Sequence, residues 1–369
     1  MAEKNIVLNE KIREICQHFD VRGQYTGYRI ISAGNVNATY QVRFSQDDGT
    51  ESSCLLQKVN TNAFRNPVAL MKNIELVTEH IRRKNPGKMT LRYYHGDTGA
   101  IYVQDGNDFW RMCNYIPSAT YTSAVSETVV RNAGTAFGEF QSQLADFDIT
   151  SLTETIPGFH NTRQRYDQLL QAVREDRAGR LEKMKPEVEF LLSCQDVACT
   201  LTDLLAKGEL PLRVTHNDTK ISNVLFDRAD DSAIAVIDLD TVMPGVVGND
   251  FGDAIRSIGN KVAEDSPESE KAGLDLKIFR AFAEGFLSQT AKTLTQKEIG
   301  TLAVSGICLT LEQAVRFLTD YLQGDVYYKI DYPEHNFDRV RCQTAYAKDL
   351  IRHRNEMEEI IRECAGKYR

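Results

Sequence analysis

Apolar positions follow two rhythms along this chain, and the change falls between residues 116 and 122. Residues 8–19 open with helical spacing (Leu8, Ile12, Ile15, Cys16 and Phe19), after which the pattern turns to strands. Tyr28–Ser32 and Thr39–Phe44 are strand-like, Asp47-Asp48-Gly49 is a turn, and Ser53–Val59 is strand-like again. Pro67 begins a helix with Leu70, Ile74, Val77 and Ile81 on one face. Thr90–Tyr94, Ile101–Val103 and Phe109–Ile116 complete the strand-like runs, so residues 20–116 predict a small, mainly antiparallel sheet carrying one helix. Beyond Thr122 helical spacing dominates, at 127–145, 161–177, 185–206, 269–289, 296–323 and 338–364. Short apolar runs between about 212 and 242 interrupt it, and the polar stretch Lys261–Lys271 reads as a mobile loop. The expected division is a lobe at 1–116 and a larger, mostly helical lobe at 117–369, an α+β chain.

Composition narrows the function classes. A chain of 369 residues with 42% hydrophobic and 26% charged residues can bury a sizeable core. Its net charge of −8 argues against general affinity for nucleic acid or anionic membrane. No apolar run reaches the length of a membrane span, and the first twenty residues lack the apolar stretch of a secretion signal. Eight scattered cysteines form no CxxC pair, which points to reduced thiols and a cytoplasmic location.

The chemistry concentrates in His216-Asn217-Asp218-Thr219-Lys220-Ile221-Ser222-Asn223, followed by the strand-like Ala235–Asp238. Phosphoryl transfer from ATP needs a carboxylate at the acceptor hydroxyl, oxygen ligands for Mg²⁺, and cationic charge at the transferring group. Asp218 suits the base, Lys220 the cation, and Asn223 and Asp238 the metal ligands. Each alone could merely cap a turn; their order and spacing set them apart. His216 reads as a residue that orders the loop. In the first lobe, the Gly34–Thr39 segment between two strands can present backbone N–H groups to phosphates through Gly34, Asn35, Asn37 and Thr39, although one glycine also fits an ordinary hairpin.

The loop resembles the protein-kinase-like pattern H-x-D-x-K-x-x-N as modified in the aminoglycoside phosphotransferase superfamily of small-molecule kinases. That resemblance implies a bilobal fold and several further roles. Lys58 would grip the α- and β-phosphates, with Glu75 as its acidic partner and Glu79 or Asn73 as alternatives on the same helix. Adenine would contact the backbone at Met112–Tyr115, including Cys113 and Tyr115. Asp253 would brace the catalytic loop, while the Asp250-Phe251-Gly252 string lies too far along to be the metal motif.

Longer strings, among them PGFHNTRQRY, VIDLDTVMPGVVGNDFGDAIR and EQAVRFLTDYLQGDVYYKI, resemble the N-acetylhexosamine 1-kinases. This implies transfer of the ATP γ-phosphate to the anomeric hydroxyl of N-acetylglucosamine or N-acetylgalactosamine by a monomer. Asp218, Arg316 and Tyr327 would contact the sugar, with His160 and Asp240 as further contacts. Arg316 could instead pair with Asp320 one helical turn on, and Tyr327 could be a packed helix-end aromatic. The rival readings are a kinase for an aminoglycoside, choline, ethanolamine or homoserine, and a pseudokinase that binds without turnover. The four residues Lys58, Asp218, Asn223 and Asp238 speak against the pseudokinase.

Overall fold

The computed structural model describes residues 2–31 and 36–369, so Gly34 and Asn35 lie outside the described residues. The chain forms two compact units. The first is Met1–Ser118 with Thr150–Ile156, and the second is Ala119–Ile149 with Pro157–Arg369. Residues 150–156 therefore join the first unit, although they follow the expected boundary at 116/117.

The first unit runs α1 (Ala2–Gln17), β1 (Gln24–Ile31), β2 (Ala38–Ser45), β3 (Glu51–Val59), α2 (Pro67–Lys84), β4 (Val103–Asp105) and β5 (Asp108–Asn114). The strands form one antiparallel sheet in the order β1-β2-β3-β5-β4. Its register sets Ala38 opposite Lys58 and Lys58 opposite Trp110. One face packs Val42, Cys54, Leu56, Trp110 and Met112 against Ile12, Ile15 and Phe19 of the N-terminal segment. Helix α2 starts as its sequence dictates: Asn66 caps Ala69 N–H, Pro67 needs no donor at the first turn, and Arg82, Arg83 and Lys84 end at the negative pole. The run at 90–94 forms no strand; Tyr93 makes an isolated bridge to Cys113. The edge of β5 is shared, with β4 taking residues 108–110 and leaving only the end for Tyr93.

The second unit contains α3 (Glu127–Gln143), α4 (Thr162–Glu175), α5 (Leu181–Ser193), α6 (Gln195–Ala198), α7 (Thr200–Ala206), β6 (Arg213–Thr215), β7 (Val224–Phe226), β8 (Ala233–Val236), β9 (Met243–Gly245), α8 (Val247–Ile258), α9 (Leu276–Thr290), α10 (Gln296–Gln323), α11 (His335–Arg352) and α12 (Arg354–Tyr368). The expected helices at 185–206 and 338–364 are each broken, the first near Cys194 and Cys199, the second at His353. Helix α10 is the axis of the core. Its most apolar window is 89% buried, so its membrane-like composition reflects packing on all sides. A capping box of Thr295 and Glu298 begins it. Helices α3 and α9 approach backbone to backbone, because Gly134 and Gly138 face Phe282 and Phe286 while Gly285 faces Arg131. A methyl group at any of these glycines would collide with a carbonyl.

The stretch 261–271, expected to be mobile, is tied down. Asn260 bridges Leu274, Arg256 pairs with Glu264, and His335 Nε2 lies 3.1 Å from Asp265. Two of its charges, Glu264 and Asp265, are partners of the buried Arg256 and His335, while Glu268 and Lys271 pair with each other at the surface. All eight cysteines are buried and free.

Candidate active site

Two short antiparallel pairs, β6–β9 and β7–β8, frame the loop 216–223. The loop is held from beneath by α8. Asp250 Oδ2 accepts His216 N–H at 3.0 Å and the Gln141 side-chain amide at 2.6 Å, while Oδ1 accepts Asn217 N–H at 2.8 Å. Asp253 Oδ2 accepts Thr219 N–H at 2.8 Å, and the Thr219 hydroxyl donates to Asp250 O at 2.6 Å. Asp250 thus braces the loop and is not aimed at a cation. Burial raises the Asp250 carboxyl above its ordinary value, against the pull of His216, Asn217 and Gln141. Burial works the same way on Asp253, but Arg256, Lys220 and His160 outweigh it and hold Asp253 below the ordinary range.

His216 is fully buried. Its Nε2 lies 2.8 Å from Ile237 O, which can only accept, so Nδ1 is left to receive Asp218 N–H at 3.3 Å. The imidazole is therefore an ordering element, linking the catalytic loop to the strand end that carries Asp238. Asn217 and Asp238 both adopt left-handed backbone, at φ 62° and 60°. For non-glycine residues such geometry costs about 1–3 kcal/mol and persists where surroundings enforce it. At Asn217 the enforcement is visible: its side-chain amide donates to Thr241 O at 2.9 Å.

Both carboxylate oxygens of Asp218 are engaged. Lys220 Nζ stands 2.9 Å from Oδ1, and Asn223 Nδ2 donates to Oδ2 at 3.1 Å and to the Asp218 carbonyl at 2.8 Å. Burial opposes the charge of Lys220, but Asp218 and then Asp253 more than offset it, so the ammonium is retained above its ordinary value. With its nitrogen turned to Asp218, Asn223 has its side-chain oxygen left to face a cation. Among the described residues no group of three or more His, Cys, Asp or Glu side chains could hold a metal alone. An Asn oxygen plus one carboxylate fits Mg²⁺, a hard ion that completes its shell with water and substrate phosphates.

In the first unit, the expected pairing of Lys58 with Glu75 is not formed. Lys58 Nζ instead lies 2.6 Å from Asp108 and 5.9 Å from the Trp110 ring centre, whereas Glu75 pairs with Lys72 at 2.9 Å. Asp108 belongs to the strand hydrogen-bonded to that of Lys58, while Glu75 has a cation one helical turn away. The alternatives also have other partners. Glu79 pairs with Arg82, and Asn73 exchanges hydrogen bonds with the Thr153 backbone. Asn37 accepts Asn60 N–H at 2.9 Å, and Thr39 accepts from Gln57 at 3.1 Å. Cys113 is buried and its thiol pushed up to about 12 by burial, and its backbone lies within the sheet, opposite Leu55 of β3 and bridged to Tyr93. Tyr115 N–H donates to Ser53 O at 3.3 Å.

Beside α10 the second unit opens a pocket of about 340 Å³, lined by Arg165, Arg316, Asp320, Tyr327 and Tyr328 together with Gln168. Arg316 does not pair with Asp320. Its guanidinium lies 5.6 Å and 5.7 Å from the Phe159 and Tyr328 ring centres and bonds Gln313. Asp320 is committed elsewhere, accepting the N–H groups of Val326, Tyr327 and Tyr328 and the Asn336 amide. Tyr327 is 71% exposed and not a packed aromatic. Arg165 bonds Gln168 and the carbonyls of Gly158 and Phe159, and both burial and Arg316 push its guanidinium down. The pocket is therefore cationic and aromatic, with its one carboxylate spent on backbone. Neither His160 nor Asp240 is among its lining residues. Sequence reading missed Arg165, Tyr328 and Glu312. The last was detectable as a lone carboxylate within the apolar Ile307–Phe317 stretch.

The model of the phosphotransferase enzyme family (APH) matches residues 28–283, more than half of the chain. Solved structures share the fold at low identity. An aminoglycoside phosphotransferase from Alicyclobacillus acidocaldarius is 13% identical with a TM-score of 0.58, covering 96% of each chain. A microcompartment-associated aminopropanol kinase is 13% identical with a TM-score of 0.61, over 95% of this chain and 98% of that one. A choline kinase from Cryptosporidium parvum is 14% identical with a TM-score of 0.56, over 93% of this chain and 96% of that one.

Proposed function

The chain belongs to the phosphotransferase enzyme family, and on that premise we propose that it transfers the γ-phosphate of ATP to the anomeric C1 hydroxyl of an N-acetylhexosamine. Phosphoryl transfer rests on Asp218, whose carboxylate is held between Lys220 and Asn223. Asp218 takes the proton of the acceptor hydroxyl as its oxygen bonds the γ-phosphorus and the bond to the ADP oxygen breaks. The products are ADP and the sugar 1-phosphate. Lys220 stabilises negative charge near the transferring group. Mg²⁺, held by Asn223 and Asp238, would supply charge neutralisation on the nucleotide phosphates. In the first unit Lys58 is assigned to the α- and β-phosphates.

The single observation that favours a sugar is the pocket of Arg165, Arg316, Tyr327 and Tyr328. Guanidinium donors and an aromatic surface suit hydroxyl and acetamido oxygens. Two half-buried cations repel an aminoglycoside, choline or ethanolamine, for which carboxylates would be required. The arginines also suit a carboxylate, which keeps homoserine as the second reading.

The experiment is Mg²⁺-dependent ATP consumption with N-acetylglucosamine, N-acetylgalactosamine, glucose, galactose, choline, homoserine and kanamycin, with the phosphorylated atom located by phosphorus NMR. Formation of N-acetylhexosamine 1-phosphates is expected. Turnover of choline or kanamycin in preference to the sugars would overturn the acceptor assignment while leaving the phosphotransferase reading intact.

A further inference from the structure

Gln313 of α10 joins two residues that line the pocket. Arg316 Nη1 donates to Gln313 Oε1 at 3.2 Å, and Gln313 Nε2 donates to the Tyr328 hydroxyl oxygen at 3.1 Å. A guanidinium can only donate, so the oxygen end of the amide belongs to Arg316 and the nitrogen end must face Tyr328. An amide N–H also only donates, so the phenolic oxygen is the acceptor of that bond and its own proton is aimed elsewhere. Among the described residues no carbonyl or carboxylate receives that proton. Burial raises the Tyr328 phenol above its ordinary value, against the pull of Arg316 and the Gln313 amide, so near neutral pH the proton stays on the oxygen. A half-buried donor without a recipient, on a pocket-lining ring, points to a ligand.

The surroundings say which ligand atom. Arg165 and Arg316 bring further N–H donors to the same pocket. Its carboxylate, Asp320, has one oxygen taken by the N–H groups of Val326 and Tyr327 and the other by Tyr328 N–H and the Asn336 amide. Around Arg316 and Tyr328 donors therefore outnumber open acceptors. A hydroxyl there needs a place for its own proton, and an ammonium needs several. A carbonyl oxygen brings two lone pairs and no hydrogen, so it satisfies such donors without leaving a group unpaired. The ring also stands toward the chemistry: Arg256, paired with Asp253 at 2.9 Å, acts electrostatically on both Tyr328 and Lys220 of the catalytic loop.

We propose that the Tyr328 hydroxyl donates a hydrogen bond to the acetamido carbonyl oxygen of the acceptor, and that Gln313 is the positioning residue that keeps this hydroxyl a donor. Tyr328 then selects N-acetylhexosamines over hexoses, whose 2-hydroxyl carries a proton of its own, and over free hexosamines, whose ammonium has no lone pair to offer. The inference deepens the sugar reading and rests on it, but the test separates the two.

N-acetylglucosamine against glucose, and N-acetylgalactosamine against galactose, are assayed with wild type, Tyr328→Phe, Gln313→Glu and the double variant. Tyr328→Phe should lower kcat/KM for the N-acetyl sugars about tenfold to a hundredfold, the scale of one buried hydrogen bond, and leave the hexoses nearly unchanged. The loss should appear in the acceptor KM while the KM for ATP stays constant. Gln313→Glu keeps the side-chain shape and the partner of Arg316, but it offers the phenol a carboxylate oxygen and so turns the Tyr328 proton back into the protein. It should cut the N-acetyl preference as far as Tyr328→Phe does, and the double variant should lose no more than either. If Gln313 serves packing alone, the glutamate variant keeps the preference, and that result overturns the positioning role. Equal losses for N-acetyl sugars and hexoses in Tyr328→Phe, or no loss for either, overturn the carbonyl contact and leave the sugar reading standing. A wild type that turns over no N-acetylhexosamine overturns both.

Discussion

Asn223 donates one side-chain amide to two oxygens of Asp218, the backbone carbonyl at 2.8 Å and carboxylate Oδ2 at 3.1 Å. The residue assigned to the metal therefore also sets the rotamer of the residue assigned to the proton. Asp218→Asn removes the proposed base and leaves the frame, so kcat should fall about 10²- to 10⁴-fold with little change in the KM for ATP. Asn223→Ala should lower kcat and also raise the Mg²⁺ concentration needed for half-maximal rate. Steady-state kinetics with Mg²⁺ varied separates the two; identical Mg²⁺ dependence in wild type and Asn223→Ala would remove Asn223 from the metal role.

Asp250 carries the stability of the catalytic loop. Asp250→Ala strands the donors of His216, Asn217 and Gln141 in a buried site, so the loss should be on the order of 3 kcal/mol. Urea unfolding measures it, and an unchanged midpoint would contradict the bracing role.

Lys58 and its neighbours give a comparison free of folding effects. Lys58→Ala should raise the KM for ATP substantially. The Asp108 pairing is half exposed, with side chains 41% and 38% accessible, and contributes about 1 kcal/mol or less to stability. Glu75→Ala should leave the KM for ATP unchanged, because Glu75 is paired with Lys72. A KM effect from Glu75→Ala equal to that of Lys58→Ala would restore the pairing expected from sequence.

Close helix packing is testable at Gly285. A Cβ there meets the backbone of Arg131 and Thr135, neither of which can rotate away, so Gly285→Ala should cost about 3 kcal/mol. Gly300, with open space around it, is the control and should tolerate alanine. Thermal denaturation of both variants checks the contrast.

Glu298 supplies a pH signature. Burial would raise its carboxyl, but Arg213 and the Thr295 backbone N–H overcome burial and leave it below the ordinary 4.5. A depressed carboxyl adds stability that is complete above the unfolded value and lost as pH falls through the folded one. The stability gap between wild type and Glu298→Gln should therefore be constant above about pH 5.5 and close below 4.5. A gap that widens on acidification would reverse the sign.

The sequence by itself determined what depends on near neighbours. Strand alternation, the Asn66-Pro67 start of α2, the Thr295–Glu298 cap and the order Asp218, Lys220, Asn223 lie within a few residues of one another. Their geometry is set by the local backbone. Tertiary structure alone decided the partners brought together from afar. Lys58 meets Asp108 and not Glu75 because strand pairing overrides helix proximity. Asp250 and Asp253 reach back more than thirty residues to the catalytic loop. Arg165 joins Arg316, and His160 joins Glu312, across about 150 residues. The side chains carry no sequence-local mark of these choices, since a carboxylate bonds whichever donor the fold delivers, and burial makes that bond obligatory.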